Sequence, residues 1–251
     1  MRANPSAAVL VIGNEILSGR TQDINSNAIA RFLAPFGIAL KEIRVVGDEA
    51  GEIVAALNAL RALYTYVFTT GGIGPTHDDI TADAVAAAFG VGIDFHPEAL
   101  AALAARFADN PSEFNEMRRR MARIPDGASL IRNTVSAAPG FRLGNVFVLA
   151  GVPSIMRAML DEVAPLLARG TPVTSITVAA PIAEGSIAGA LAAIQAQFPD
   201  VAIGSYPVYR PDGYGVQLVT RGFDPAQVEA AAAAIIAMLA AAGTRPQRLS
   251  S

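Results

Sequence analysis

Three aspartates, Asp78, Asp79 and Asp83, stand just after a run of glycines at Gly71, Gly72 and Gly74, with Pro75, Thr76 and His77 between. Glycine lets a ligand come close to the main chain and takes backbone angles that a side chain forbids. Proline stiffens the turn by fixing φ. Carboxylates would repel a bare phosphate, so acids beside such a loop point to a divalent cation, Mg²⁺ or another, between carboxylate and phosphate oxygens. Asp79 and Asp78 are the expected metal ligands. Asp48 joins them as a third candidate catalytic carboxylate. The alternative is that Asp78 or Asp79 caps the next helix and Asp83 favours its first turn. His77 reads equally as a phosphate contact or as an exposed loop residue.

The elements that hold these residues can be read on either side. Val67–Thr70 is β-branched or aromatic and ends a buried strand. After Thr81 an alanine-rich pattern with Val85 and Phe89 on one face predicts a helix through Phe89. Strand, glycine turn and helix N-terminus together collect phosphate, through free N–H groups and the helix dipole. The arrangement recurs where the strand Asn145–Ala150 runs into Gly151-Val-Pro153-Ser154, with Ser154 as the expected cap. It has a third echo at the apolar run Ala7–Ile12, where Gly13 opens a tight turn and Glu15 brings a carboxylate to the strand ends. Asn25 and Asn27 then either cap the next helix or contact ligand. A strand over Ile38–Val46 closes on Asp48, at the end where open α/β sheets place their crevice; the alternative is a cap for Ile53–Leu63.

Further along, Pro97–Phe107 and Pro111–Ile124 read as helices opening near a proline. Arg118, Arg119, Arg120 and Arg123 fall on the second and read as a solvated face. Ile131–Phe141 has no clear period and reads as a surface loop. Alternating strands and helices require a three-layer, mostly parallel α/β sheet. Composition shifts at Arg169–Pro172. Beyond it, strand Val173–Ala179, helix Glu184–Phe198, strands Val201–Tyr206 and Tyr214–Thr220 and helix Pro225–Ala242 predict a small α+β domain with a hairpin. The expected domains are therefore 1–169 and 173–244.

Thr70-Gly-Gly-Ile-Gly-Pro-Thr-His-Asp-Asp-Ile-Thr81 resembles the signature of the molybdopterin-binding fold shared by MoaB, MogA and the gephyrin and MoeA domains. The resemblance is nearer still to the N-terminal part of the CinA (competence/damage-inducible protein A) group, and to the N-terminal domain of FAD synthase. Gly13-Asn-Glu-Ile-Leu-Ser-Gly19 resembles that group's Gly-Thr-Glu-Leu-Leu-x-Gly, and Asn25-Ser-Asn27 its Asn-Thr-Asn. Asn133, Val135 and Ala138–Phe141 match its Asn-Pro-Val-Gly-x-Ala-Pro-Gly-Phe loop, with Thr134 in place of the proline. At Leu-Pro-Gly-Pro-Pro-Ser-Glu-Met the chain departs by Ala150, Val152 and Ile155, so one acid is missing. The resemblance implies a phosphate- or substrate-binding set of Gly13, Glu15, Asn25, Asn27, Gly71, Gly72, Gly74, Pro75, Thr76, Thr81, Gly151, Pro153 and Ser154. It also implies an aspartate, here Asp48, facing pterin or nucleotide. The small second domain is CinA-like as well. The chain reaches Ser251 without room for a nicotinamide mononucleotide deamidase domain, so that activity is not expected.

Composition bounds the rest. The 251 residues carry a net charge of −3, with 16% charged, 6% aromatic and 52% hydrophobic residues, much of the last alanine. A slightly acidic chain without a clustered basic face excludes a nucleic-acid grip. Light charge leaves apolar area for a subunit contact, and a homo-oligomer, dimer or trimer, is expected. With no cysteine and two histidines, disulfides, thiol catalysis and His- or Cys-based zinc are excluded. No stretch is long enough to span a bilayer and the N-terminus lacks a signal pattern, which predicts a cytoplasmic protein. Three functions stay open: metal-dependent hydrolysis of a nucleotide diphosphate linkage of the ADP-ribose or FAD type, molybdopterin binding or adenylylation in cofactor synthesis, and a non-catalytic ligand module.

Overall fold

A computed structural model describes residues 4–210 and 213–249. Contacts divide the chain into two compact units, one ending at Gly170 and the next beginning at Thr171.

The first unit runs β1 (Ser6–Ile12), α1 (Asn14–Leu17), α2 (Asn25–Leu33), β2 (Ala39–Val46), α3 (Ala50–Leu63), β3 (Tyr66–Thr70) and α4 (Thr81–Phe89). It continues β4 (Ile93–Phe95), α5 (Pro97–Arg106), α6 (Glu116–Arg119), β5 (Arg123–Pro125), β6 (Ser129–Ile131), β7 (Gly140–Leu143), β8 (Val146–Leu149) and α7 (Pro153–Val163). Six strands form one sheet in the order β2-β1-β3-β8-β7-β6. β2, β1, β3 and β8 are parallel, whereas β7 and β6 turn back antiparallel at one edge. β1 and β3 are buried on both faces, which explains why they read as unbroken apolar or β-branched runs.

Each face of the sheet carries its own core. Leu10, Val67 and Val148 pack under α3 and α4 through Ile53, Leu57, Leu60 and Val85. Val9, Phe68 and Phe147 pack under α2 and α7 through Ile29, Leu33, Met156 and Leu160. Phe68 and Phe147 stack on neighbouring strands with centroids 5.1 Å apart. Helix, sheet, helix makes three layers, as the alternation of elements requires.

Several local expectations need correction. Pro111–Ile124 is not one helix: a 3-10 turn at Pro111–Glu113, the single turn α6, another 3-10 turn and β5 take its place. Pro111, which opens the first 3-10 turn, and Asn115, which caps α6 by accepting from the Arg118 N–H, break the run. The aperiodic stretch after Ile131 is flanked by β6 and β7, and Asn133 closes it by accepting from the N–H groups of Val135 and Ser136 and donating to Ala138 O.

The second unit is β9 (Thr174–Ala180), α8 (Glu184–Gln197), β10 (Ala202–Arg210), β11 (Gly213–Gly222), α9 (Pro225–Ala241) and β12 (Gln247–Leu249). Its sheet is antiparallel, in the order β10-β11-β9-β12, with β10 and β11 paired directly as a hairpin. Buried Ile176, Val178, Val216 and Leu218 alternate with half-buried neighbours and pack on Ile187, Val228, Ile235 and Leu239 of the helices. Strand β12 is too short and polar to signal itself in sequence.

Among the described residues no helix is long and apolar enough to cross a membrane.

Candidate functional site

The carboxyl ends of β1, β3 and β8 lie side by side, because those strands are parallel neighbours. The loop after β3 is held down by its own ends. Gly71 N–H donates to Leu149 O, Thr81 N–H to Gly72 O, and the buried Thr81 hydroxyl to Gly71 O at 2.9 Å. Gly71 (φ 103°) and Gly72 (φ 67°) take left-handed backbone that favours glycine. At Gly71 a Cβ would run into the carbonyl oxygen of Ile12, and at Gly72 into the Thr81 hydroxyl. Gly151 passes so near that its Cβ would stand 3.2 Å from Gly71 Cα. Three strand ends thus meet with main chain against main chain.

The N–H groups of Gly72, Ile73 and Gly74 donate to no protein acceptor among the described residues. These three residues line a cavity of about 730 Å³. That volume falls in the ~300–1,000 Å³ range that holds small ligands and cofactors. Consecutive unpaired N–H groups in such a wall form an anion cradle.

The cavity gathers most of the sequence-derived site. Gly13, Glu15, Asp48, Gly71, Gly72, Gly74, Pro75, Asp78, Asp79, Gly151 and Pro153 all line it. Asn25, Asn27, Thr76, Thr81 and Ser154 do not. Thr81 lies buried beneath the loop, a fastener rather than a wall. Asn25 is buried too, and its side-chain amide donates to Gly151 O at 2.7 Å, tying α2 to the β8–α7 turn. Asn27 opens into a separate hollow between α2 and α7. Thr76 faces a shallow hollow beside His77 and Met117, and Ser154 is exposed on the first turn of α7.

The acids are not helix caps in the expected places. α4 has Ile80 at its cap position and no side-chain cap, and α7 likewise starts from Val152 rather than Ser154. Asp79 Oδ2 instead accepts from Thr76 N–H at 2.7 Å and the Thr76 hydroxyl at 2.6 Å, closing the glycine loop on itself. Its Oδ1 accepts nothing among the described residues. Asp48 Oδ2 accepts from Asn14 N–H at 2.9 Å, so it serves α1 and not α3. Asp23, which sequence reasoning passed over, accepts from the N–H groups of Asn25 and Ser26 and starts α2. Its position just before an apolar-periodic segment was the available signal. Asp83 does not line the large cavity and stands in a two-bond ion pair with Arg123 at 2.7 and 2.9 Å.

Asp78 is exposed and its pKa lies below the ordinary carboxylate value, through the polar Thr76 side chain beside it, its own N–H and the nearby His77 ring. It stays ionised at neutral pH. Among the described residues no three His, Asp or Glu side chains form a ready metal cage. Mg²⁺ commonly takes one or two carboxylates and completes its shell with phosphate oxygens and water. The free Oδ1 of Asp79, with Asp78 or Asp48 on the same cavity, fits that partial donor set.

The chain matches the family described as "Probable molybdopterin binding domain" over residues 8–169, and the family described as "FAD synthase, middle domain" over residues 172–247. A protein of Thermococcus kodakarensis is 41% identical over 177 residues, covering 65% of this chain and 70% of its own. A CinA-like protein of Syntrophotalea carbinolica is 36% identical over 159 residues, which is 62% of this chain but 39% of that longer relative. In three dimensions the chain is similar to the crystal structure of the protein CinA, of unknown function, from Thermoplasma acidophilum. That likeness has a TM-score of 0.61 at 33% identity and covers 64% of this chain and 97% of that one.

Proposed function

This chain belongs to the molybdopterin-binding domain family of CinA-like type over residues 8–169, and from that premise we propose that it hydrolyses a nucleotide diphosphate linkage of the ADP-ribose or FAD type. The observation that carries the reading is the cradle: three unpaired N–H groups at Gly72, Ile73 and Gly74, in one cavity with Asp79, Asp78, Asp48 and Glu15. N–H groups bind and stabilise phosphoryl oxygens, most strongly where negative charge develops. A divalent cation held by Asp79 with Asp78 or Asp48 would polarise a phosphoryl oxygen there. Glu15, folded against Gly13, and Asp48 present carboxylates able to orient and deprotonate water. The match of residues 172–247 to an FAD synthase domain supports a dinucleotide over a simple phosphate ester.

Pterin binding without hydrolysis is the second reading. It is favoured by the family description and by the lack of a ready metal cage among the described residues.

Dinucleotides and pterins tested with Mg²⁺, Mn²⁺ and Co²⁺ separate the two. Asp79→Asn keeps size but removes charge, so turnover should fall about a hundredfold, or 2.7 kcal/mol, while metal-free phosphate binding persists or tightens. A bound ligand at about a hundred times its Kd should raise stability by about 2.7 kcal/mol. Metal-dependent hydrolysis left intact in Asp79→Asn would move the metal to Asp78 or Asp48. Ligand binding without turnover by any metal form would establish the second reading.

A further inference from the structure

The arginine run around α6 divides sharply once its partners are known. Arg118 pairs with Glu113 at 2.7 Å, Arg123 pairs with Asp83, and Arg119 lies over the Phe95 ring. The Arg120 side chain has no hydrogen bond or ion pair among the described residues, yet the residue is half-buried. It lines a hollow of about 20 Å³, room for one water, with Gly72, Gly74, Asp79 and Asp83. The side chain of Arg106, the last residue of α5, is exposed and makes no hydrogen bond or ion pair among the described residues; it lies near enough to Glu113 to help lower that acid's pKa, and it lines the large cavity. Met121 borders both spaces.

We propose that Arg106 and Arg120 form a cationic clamp for a diphosphate-bridged ligand, one guanidinium on each side of Met121, facing the anion cradle of the glycine loop. This rests on the reading of the cavity as a nucleotide diphosphate site and adds the cationic groups that hold the diphosphate. Electrostatics requires such groups. Glu15, Asp48, Asp78 and Asp79 all line the cavity, and a diphosphate brings further negative charge into the same space. Coulomb repulsion between these charges is offset by cations close at hand. Guanidinium forks match paired phosphoryl oxygens better than a point charge does. At Arg120, which is half-buried while Arg106 is exposed, an unpaired cation is costly unless a counter-charge arrives. Asp79 and Asp83 supply part of it at Arg120, but Asp79 Oδ2 is bound to Thr76 and Asp83 is taken by Arg123. The two arginines come from a segment remote in sequence from the glycine turns at Gly13, Gly71–Gly74 and Gly151.

Titration calorimetry with inorganic pyrophosphate and with ADP-ribose tests the clamp on the full chain. Arg106→Ala and Arg120→Ala should each weaken both probes about tenfold or more. Arg119→Ala, which removes the same charge nearby, should change them less than about threefold. Arg120→Gln, closer in length, is measured alongside in case the alanine variant fails to fold, and it should show the same loss. Variants that bind both probes as tightly as the parent overturn the clamp, as does an equal loss in Arg119→Ala. An Arg120→Ala protein of lower melting temperature with unchanged affinity shows that Arg120 only neutralises Asp79 and Asp83, and overturns it too. Binding by the parent without hydrolysis removes the hydrolase reading alone. A parent that binds neither probe removes both.

Discussion

At the scale of the residue, the site depends on small contacts that permit backbone to approach backbone. Thr81 shows how much one hydroxyl can hold. It is fully buried, and it satisfies the carbonyl of Gly71 inside the protein. Thr81→Val keeps the shape and leaves that carbonyl without a partner. The expected cost is about 1–3 kcal/mol, read as a lower midpoint in urea, with ligand affinity falling as the loop loosens. Gly72→Val is more severe, since a β-branched side chain cannot adopt φ 67° and would meet the Thr81 hydroxyl. Binding itself should disappear in calorimetry, whereas Asp79→Asn should lose turnover and keep binding. An unchanged affinity in Gly72→Val would show that ligand does not use this turn.

At the scale of the element, β2 is an edge strand secured by polar contacts as well as apolar ones. Glu42 accepts from Arg44 at 2.6 Å and from the Tyr64 hydroxyl at 2.9 Å, joining the strand to the end of α3. Arg44 first, then Tyr64, holds the Glu42 pKa below its ordinary value, and the same bond raises that of Tyr64. A depressed acid contributes stability above its unfolded pKa and loses it as pH falls through the folded one. Glu42→Gln should therefore be less stable than the parent at neutral pH. The gap should close as pH drops below about 4.3, the ordinary Glu value. Melting curves from pH 7 to pH 3 check this, and a gap that stays constant would remove the ion pair as its cause. Because both side chains are partly exposed, the gap at neutral pH should be small.

At the scale of the whole molecule, each unit has a core of its own: two layers against the mixed sheet in the first, and one under α8 and α9 in the second. Arg169–Pro172 joins them. Mild proteolysis should cut first near that joint and leave an N-terminal fragment that keeps ligand binding, since every cavity residue named here lies before Gly170. First cleavage inside α4 or β3 would contradict this division.

Sequence alone determined the buried parallel strands, the glycine loop after β3 and the small hairpin-bearing unit. Each is written locally, by runs of apolar residues, by glycine where φ must be positive, and by alternation with period two. It also picked out the acids Glu15, Asp48, Asp78 and Asp79, because parallel strands deliver their carboxyl ends to one edge and so fix where those residues come together. What each polar group does there was a tertiary decision. Asp79, Asp48 and Asn25 all sit where a helix cap could stand, yet they bind Thr76, Asn14 and Gly151 instead. Arg123 was spent on Asp83 and Arg120 left beside Asp79 by the fold of the segment 118–123, whose four arginines look alike in sequence. A side chain's propensity to cap or pair is a local property, but which partner it meets depends on residues up to 126 positions away, as for Asn25 and Gly151, and only the packed chain brings those within reach.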